Sequence, residues 1–290
     1  MRVFVLSGGA NLGAAQVGML QALAARGVVP DAVVGASVGA INGAAFASDP
    51  TERGVERLAE TWRQVRREDI FPGSRLRGAW QVARRQLHLH EPDALRRQLA
   101  RWLPVDDLAD TVLPVHVATT DLARGRTRWW TAGPAVDILA ASACLPCVFP
   151  PVCLEGELHI DGAVTQSVPI ERAVWLGADE IVVLDAGATG QPAGPPGSAL
   201  DVLLGAFRAA RLARLEVDRA ALPATTSVVW LPCIDVGRLA YDDFSRTAEL
   251  IEAGARLAGE VLDASVDDDH VVALDLTPRH LEHAQRAVGL

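Results

Sequence analysis

The sequence predicts an α/β fold with a largely parallel sheet and helices on both of its faces. Three observations carry this expectation. Short β-branched apolar runs recur along the chain, helix-like segments separate them, and the first two runs stop abruptly at glycine- and serine-containing turns.

The first strand is expected at Arg2–Leu6, where the apolar run ends at Ser7-Gly8-Gly9, and a helix-like pattern follows over Gly13–Arg26. Ala32–Gly35 reads as the second strand, with helices at Val38–Ala47 and Thr51–Arg67. Leu113–Thr119 reads as the third strand, before helices at Ala135–Ala143 and Pro169–Leu176. Glu180–Asp185 and Ser227–Leu231 complete the strands, and Asp243–Leu262 is the last helix-like segment. The Gly/Pro-rich stretch Gly187–Ala199 reads as a mobile surface loop. The later strand at Ser227–Leu231 continues the same sheet, so residues 1–290 are expected to form a single domain.

Composition narrows the function. Of 290 residues, 50% are hydrophobic and 22% charged, which is globular and not disordered. A net charge of -9 argues against a general nucleic-acid binder. All 27 basic residues are Arg, which removes Lys as base, Schiff-base former or phosphate clamp. Cys144, Cys147, Cys153 and Cys233 are too few for a disulfide scaffold. No signal peptide and no membrane-spanning run is read, so a cytoplasmic protein is expected.

A glycine loop between strand and helix usually holds something negative, because free N–H groups and the helix dipole point at it. Gly8 and Gly13 have P-loop spacing, but Ala14 and Ala15 stand where Lys and Ser/Thr belong. Gly8-Gly9 also misses the Gly-x-Gly of a dinucleotide fingerprint. A plain tight turn remains a reading of the loop taken alone.

Gly35-Ala36-Ser37-Val38-Gly39 is more specific. It is G-x-S-x-G between a β-branched strand and a small-residue helix, the context of a nucleophile elbow. The turn is strained, so residues two before and two after the serine must be small, and Gly35 and Gly39 are. Ser37 is expected to stand exposed at a helix N-terminus, where the dipole favours a developing negative charge. A serine nucleophile also needs a base and an oxyanion hole. Only two strands precede Ser37, unlike a conventional α/β-hydrolase, and no histidine sits in a convincing loop after a late strand. His159 is the best of them, but it lies in "ELHIDGAV", beside Asp161.

With Ala141–Ile170 in view, the chain resembles the patatin-like phospholipases. The likeness rests on the loop Gly8-Gly9-Ala10-Asn11-Leu12-Gly13, the elbow Gly35–Gly39 and Asp161-Gly162-Ala163, in the family's order. The run Ala141–Pro151 and Val168-Pro169 fit its spacing as well, and together the blocks cover roughly Val3 to Asp185. The resemblance implies a three-layer α/β/α fold and a Ser–Asp dyad without histidine. Ser37 is then the nucleophile and Asp161 the base, its pKa raised by partial desolvation. Backbone N–H groups of Gly8, Gly9 and Ala10 are the implied oxyanion donors, and Gly162 lets the chain bend after Asp161. No metal and no organic cofactor are implied. The implied substrate is an acyl lipid or another ester, met in transient contact with a membrane surface.

Two positions depart from the family's loop. Ala10 replaces a third glycine, and its donor survives if φ stays negative. Leu12 replaces an Arg or Lys that supports the loop or the oxyanion. Two rival functions follow: a soluble-ester hydrolase or thioesterase, and a catalytically weak lipid-binding or regulatory module.

Other signals have plainer readings. Cys144-Leu145-Pro146-Cys147 looks like a redox pair, but the preceding helix ends there, so buried cysteines under the site are expected. His88-Leu89-His90 lacks further metal ligands and reads as solvated. Asp121 and Asp185 end strands and suit turns or caps. Ser74–His90 has the spacing of a basic amphipathic helix, either packed on the core or lying on an anionic membrane. Trp129-Trp130 suits lipid contact or edge-strand packing.

Overall fold

The computed structural model describes residues 1–72, 88–187, 197–234 and 239–267. Five parallel strands make the centre of the sheet: β1 (Arg2–Leu6), β2 (Ala32–Ala36), β3 (Val115–Asp121), β7 (Glu180–Leu184) and β8 (Ser227–Leu231). Three antiparallel strands extend it: β4 (Arg126–Trp130), β5 (Val152–Leu154) and β6 (Glu157–Asp161). The hydrogen-bonded order is β5-β6-β3-β2-β1-β7-β8, with β4 also paired to β3.

The central strands bury both faces, which is why they read as continuous apolar runs. Along β1, Phe4 and Leu6 enter one core and Val3 and Val5 the other. The larger core is closed by α1 (Gly13–Ala24), α2 (Val38–Ser48), α3 (Glu52–Gln64), α4 (Arg67–Ile70), α5 (Asp93–Trp102), α6 (Ala135–Ser142) and α9 (Thr247–Asp267). On the opposite face, Ile170 and Ala173 of α7 (Ile170–Trp175) and Leu215 of α8 (Ala199–Ala220) pack on Val3, Val5 and Val34. The expected three-layer α/β/α architecture is therefore present.

Several element boundaries differ from expectation. The Thr51–Arg67 helix stops at Gln64, because Val65 turns to extended backbone at φ -63 and ψ 129. The last helix starts at Thr247, not Asp243. Most of the Gly187–Ala199 loop and of the Ser74–His90 segment lies outside the described residues. Among the described residues, no helix is long and apolar enough to cross a membrane.

A buried polar chain ties the first three helices to the sheet. Gln16 Nε2 donates to the carbonyls of Ser7 and Leu184, at 2.9 and 3.0 Å. Asn42 Nδ2 donates to Gln16 Oε1 and to the Gly13 carbonyl. Trp62 Nε1 in turn donates to Asn42 Oδ1 at 2.9 Å. A buried acceptor left unpaired costs about 1–3 kcal/mol. Trp62→Phe is therefore expected to lower unfolding free energy by about that amount, measured by urea denaturation. Unchanged stability would mean that Asn42 finds another donor.

Candidate active site

Ser37 occupies the turn between β2 and α2 with φ 55 and ψ -130, a backbone region that non-glycine residues rarely adopt. The strain persists because the surroundings leave no room for relaxation. A Cβ on Gly35 would lie 2.6 Å from the Gly39 carbonyl oxygen. One on Gly39 would lie 2.3 Å from the Leu6 oxygen and 2.5 Å from that of Ser7. The Ser37 N–H donates to Ser142 Oγ at 3.0 Å, and Ser142 Oγ donates to the Ala118 carbonyl at 2.7 Å. Ser142 thus clamps the turn, a role the sequence reading missed although Ser142 stands inside the run Ala141–Pro151. Ser37 itself is only 8% exposed, not the open position expected.

Strand register delivers Asp161. β3 pairs with β2 up to Ala118, opposite Ala36, and with β6 from Thr119, opposite Asp161. The ends of β2 and β6 therefore fall at successive positions along β3, and Ser37 follows Ala36 directly. Ser37 Oγ donates to Asp161 Oδ2 at 2.8 Å. The other carboxylate oxygen accepts the Ala163 N–H at 2.8 Å, which fixes the carboxylate plane. Thr120 Oγ1 holds the Asp161 carbonyl at 2.9 Å. Burial pushes the Asp161 carboxyl up to about 7, against the opposing pull of the Ala163 and Ser37 hydrogen bonds. Gly162 is required by close approach: a Cβ there would sit 2.1 Å from the Ala118 carbonyl oxygen.

The glycine loop faces the same end of the sheet. The Gly8 N–H, expected as a free oxyanion donor, is already paired to the Ser167 carbonyl at 2.9 Å. Among the described residues, the Gly9 and Ala10 N–H groups have no protein acceptor. Ala10 has φ 50, so the condition of a negative φ is not met, yet among the described residues its N–H still has no protein acceptor. Asn11 anchors the loop, donating from Nδ2 to the carbonyls of Ala240 and Asp243 at 2.9 and 2.6 Å.

The remaining candidates have other roles. His159 hydrogen bonds through Nδ1 to Thr119 Oγ1 at 3.0 Å and packs edge-on against Trp130. Burial lowers its pKa. Cys144 is buried beneath the site, its thiol pushed up to about 12 by desolvation, and its carbonyl accepts the Asp161 N–H at 3.0 Å. Cys147 is exposed, so the expected buried pair is only half buried. His90 is buried between Phe71 and Phe149, contrary to the solvated reading. Asp121 caps the β3–β4 turn, accepting from the Ala123 and Arg124 N–H groups. Asp185 combines a turn bond to the Gly187 N–H with a buried ion pair to Arg211, a residue sequence reading did not single out. Among the described residues, no group of three or more His, Cys, Asp or Glu is placed to hold a metal.

An L-residue in the left-handed region is strained by about 1–2 kcal/mol, and glycine is not. Glycine also gives up about 0.5–1 kcal/mol of chain entropy on folding. Ala10→Gly is therefore expected to leave stability unchanged or raise it by up to about 1.5 kcal/mol, whereas Ala10→Val is expected to lower it. Denaturant titration of both variants checks the strain, and an equally stable Ala10→Val would refute it.

A model of the patatin-like phospholipase family matches residues 4–174. The chain is 29% identical over 191 residues to lysophospholipase nte1 of Aspergillus terreus, spanning 63% of this chain and 12% of that protein. It is 28% identical over 186 residues to patatin-like phospholipase domain-containing protein 7 of Rattus norvegicus, spanning 63% of this chain and 13% of that protein. The chain thus matches about an eighth of the length of these relatives. Among solved structures, VipD from Legionella pneumophila aligns with TM-score 0.49 and 14% identity, over 91% of this chain and 67% of that one. With the family model covering more than half of its residues, the chain belongs to the patatin-like phospholipase family.

Proposed function

We propose that this chain hydrolyses fatty-acyl esters of phospholipids or other lipids through an acyl-Ser37 intermediate, with Asp161 as the base. The observation that carries the reading is the 2.8 Å hydrogen bond from Ser37 Oγ to a buried Asp161 carboxylate. A carboxylate at its ordinary pKa is a poor base for an alcohol. Desolvation raises Asp161 to about 7, where a general base works best near neutral pH.

The steps balance without a histidine. As Ser37 Oγ attacks the acyl carbonyl, its proton passes to Asp161. The oxyanion collects between the Gly9 and Ala10 N–H groups, fixed dipoles that need no reorganisation during the reaction. Collapse expels the alcohol, which takes the proton from Asp161. Water then attacks the acyl ester, gives its proton to Asp161, and the fatty acid leaves Ser37 with that proton restored to Oγ. Lysophospholipase is the activity in the name of the Aspergillus terreus relative. Lysophospholipids therefore head the candidate substrates. Four cysteines outside any disulfide suit a reducing, cytoplasmic setting, with the enzyme meeting lipid at the membrane surface.

A fluorophosphonate probe followed by peptide mapping is expected to leave one adduct, on Ser37, and none on Ser37→Ala. Asp161→Asn is expected to remain folded and lose about 10²–10⁴ in kcat, the usual share of a general base. A near-normal rate would transfer the base role to another residue. Hydrolysis should be faster on vesicles and micelles than on monomeric short-chain esters. Equal rates would point to a soluble-ester hydrolase instead.

The pH dependence has a definite sign. Activity needs ionised Asp161, so kcat/KM is expected to rise through about pH 7 and then level off. Stability moves the other way. Between the ordinary value of 3.8 and about 7 the unfolded chain has lost this proton and the folded chain keeps it. The site therefore withdraws stability as pH rises through that window, on the order of 4 kcal/mol in all. Asp161→Asn should remove that decline, seen as a smaller fall in unfolding free energy between pH 4 and 7.

A further inference from the structure

We propose that Arg211, acting through Asp185, is a positioning residue for the oxyanion loop, pinning it from outside the loop itself. The inference rests on the acyl-hydrolase reading above. Arg211 and Asp185 both lie beyond the family-matched residues 4–174.

The two side chains form a buried pair, 7% and 2% exposed. Arg211 Nη2 donates to Asp185 Oδ1 at 2.5 Å and to Oδ2 at 2.7 Å. Asp185 Oδ1 also accepts from Ser7 Oγ at 2.9 Å and from the Gly187 N–H at 2.8 Å. Ser7 Oγ in turn accepts the Ala186 N–H at 2.8 Å. Ser7 is the last residue before the glycine loop, so the pair fixes both the start of that loop and the 185–187 turn beside it. The loop then lies directly on this turn. A Cβ on Gly9 would sit 2.2 Å from the Ala186 carbonyl oxygen, and one on Gly187 would sit 2.2 Å from Arg211 Cζ. A continuous chain of contacts therefore runs from the guanidinium to Gly9, the first free donor of the loop.

Stability alone is a poor account of the pair. Among the described residues, Nε and Nη1 of Arg211 are buried with no hydrogen-bond partner. A buried ion pair with unsatisfied donors is commonly no better than an apolar replacement. Leu12, meanwhile, is part of the apolar core and brings no charge to the loop. What the pair does accomplish is rigidity at the place where two N–H groups must be aimed before an oxyanion forms. Misplacing such groups by about 1 Å can cost 10²-fold in rate.

The test compares wild type, Arg211→Met, Arg211→Lys and the neutral double variant Arg211→Gln/Asp185→Asn. Each is assayed on a lysophospholipid micelle and a short-chain 4-nitrophenyl ester, with circular dichroism and melting curves. The double variant leaves no unpaired carboxylate behind, so it stays interpretable if Arg211→Met fails to fold. The expected result is a kcat at least about tenfold lower in Arg211→Met and the double variant, with KM within about twofold. Arg211→Lys, which keeps the charge, should recover most of the rate. Folded variants with wild-type kcat would overturn the inference while leaving the hydrolase reading intact. So would a lower melting temperature with kcat per folded molecule unchanged. A wild-type protein with no turnover and no fluorophosphonate adduct would overturn both.

Discussion

The close approach of two backbones holds the proposed active site together. The α2 turn comes within van der Waals reach of the end of β1, so near that Gly39 has space for no side chain beside the Leu6 and Ser7 carbonyls. This contact sets the distance between the nucleophile turn and the glycine loop, because Ser7 leads into the loop and Gly39 belongs to the helix that Ser37 begins. Both loops hang from the carboxyl ends of adjacent parallel strands, where α/β sheets place their ligands. Gly13 of α1 follows from the same close packing, as does the buried Gln16–Asn42 bridge that joins α1 to α2, whereas Gly18 of α1 lets the last helix approach, a Cβ there lying 2.0 Å from the Ile251 carbonyl oxygen. Bulk at Gly13 would collide with Val38, at 2.3 Å from a hypothetical Cβ.

Charge is the opposing constraint. Burial of Asp161 raises its pKa toward neutrality, as the base proposed for Ser37 needs, while disfavouring the ionised form in which that base would act. Two hydrogen bonds to the carboxylate, from Ala163 and Ser37, pull the other way and stop the pKa from rising further. Cys144 beneath it contributes a backbone carbonyl and a thiol held neutral by its own burial, so it adds no second negative charge at neutral pH. His159, two residues along the same strand, keeps a lowered pKa by burial and engages Thr119. Among the described residues, no cation contributes to lowering the Asp161 pKa, which suits the proposal of a carboxylate base acting without a histidine.

The parallel core was legible because its strands are buried on both faces and so appear as unbroken β-branched runs. β1 and β8 match their expected limits, and the elbow and Asp161 blocks were found by local motif. The antiparallel part was not legible. β4 alternates exposed Arg126 and Arg128 with half-buried neighbours, and β5 has three residues. The β5–β6 hairpin turns at Glu155-Gly156, with φ 50 and 83, which lacks the usual Asn-Gly or Asp-Gly signal. α8 was hidden behind a Gly/Pro-rich stretch, although Ser198 caps it by accepting the Asp201 N–H, an S-x-x-D signature. The commitment of the Gly8 N–H to Ser167 and the positive φ of Ala10 are tertiary facts that no local pattern encodes.

The same reasoning explains why the most informative departure in the sequence was also the hardest to interpret. A cation missing from a motif is visible in one sequence. A cation supplied from elsewhere is not, because Arg211 stands in an ordinary run of helix, 26 residues from Asp185. Buried arginines are rare, and a helix with Arg at regular spacing reads as solvated. Only the fold brings β7 beside β1, and only then does Asp185 meet Ser7. Motif matching therefore judges the glycine loop by its own residues, whereas the loop's geometry is set jointly by the strands on either side and by what pins their ends. A loop that carries Leu at position 12 can keep its shape if the pinning comes from beneath it, which is the role proposed for Arg211 and Asp185.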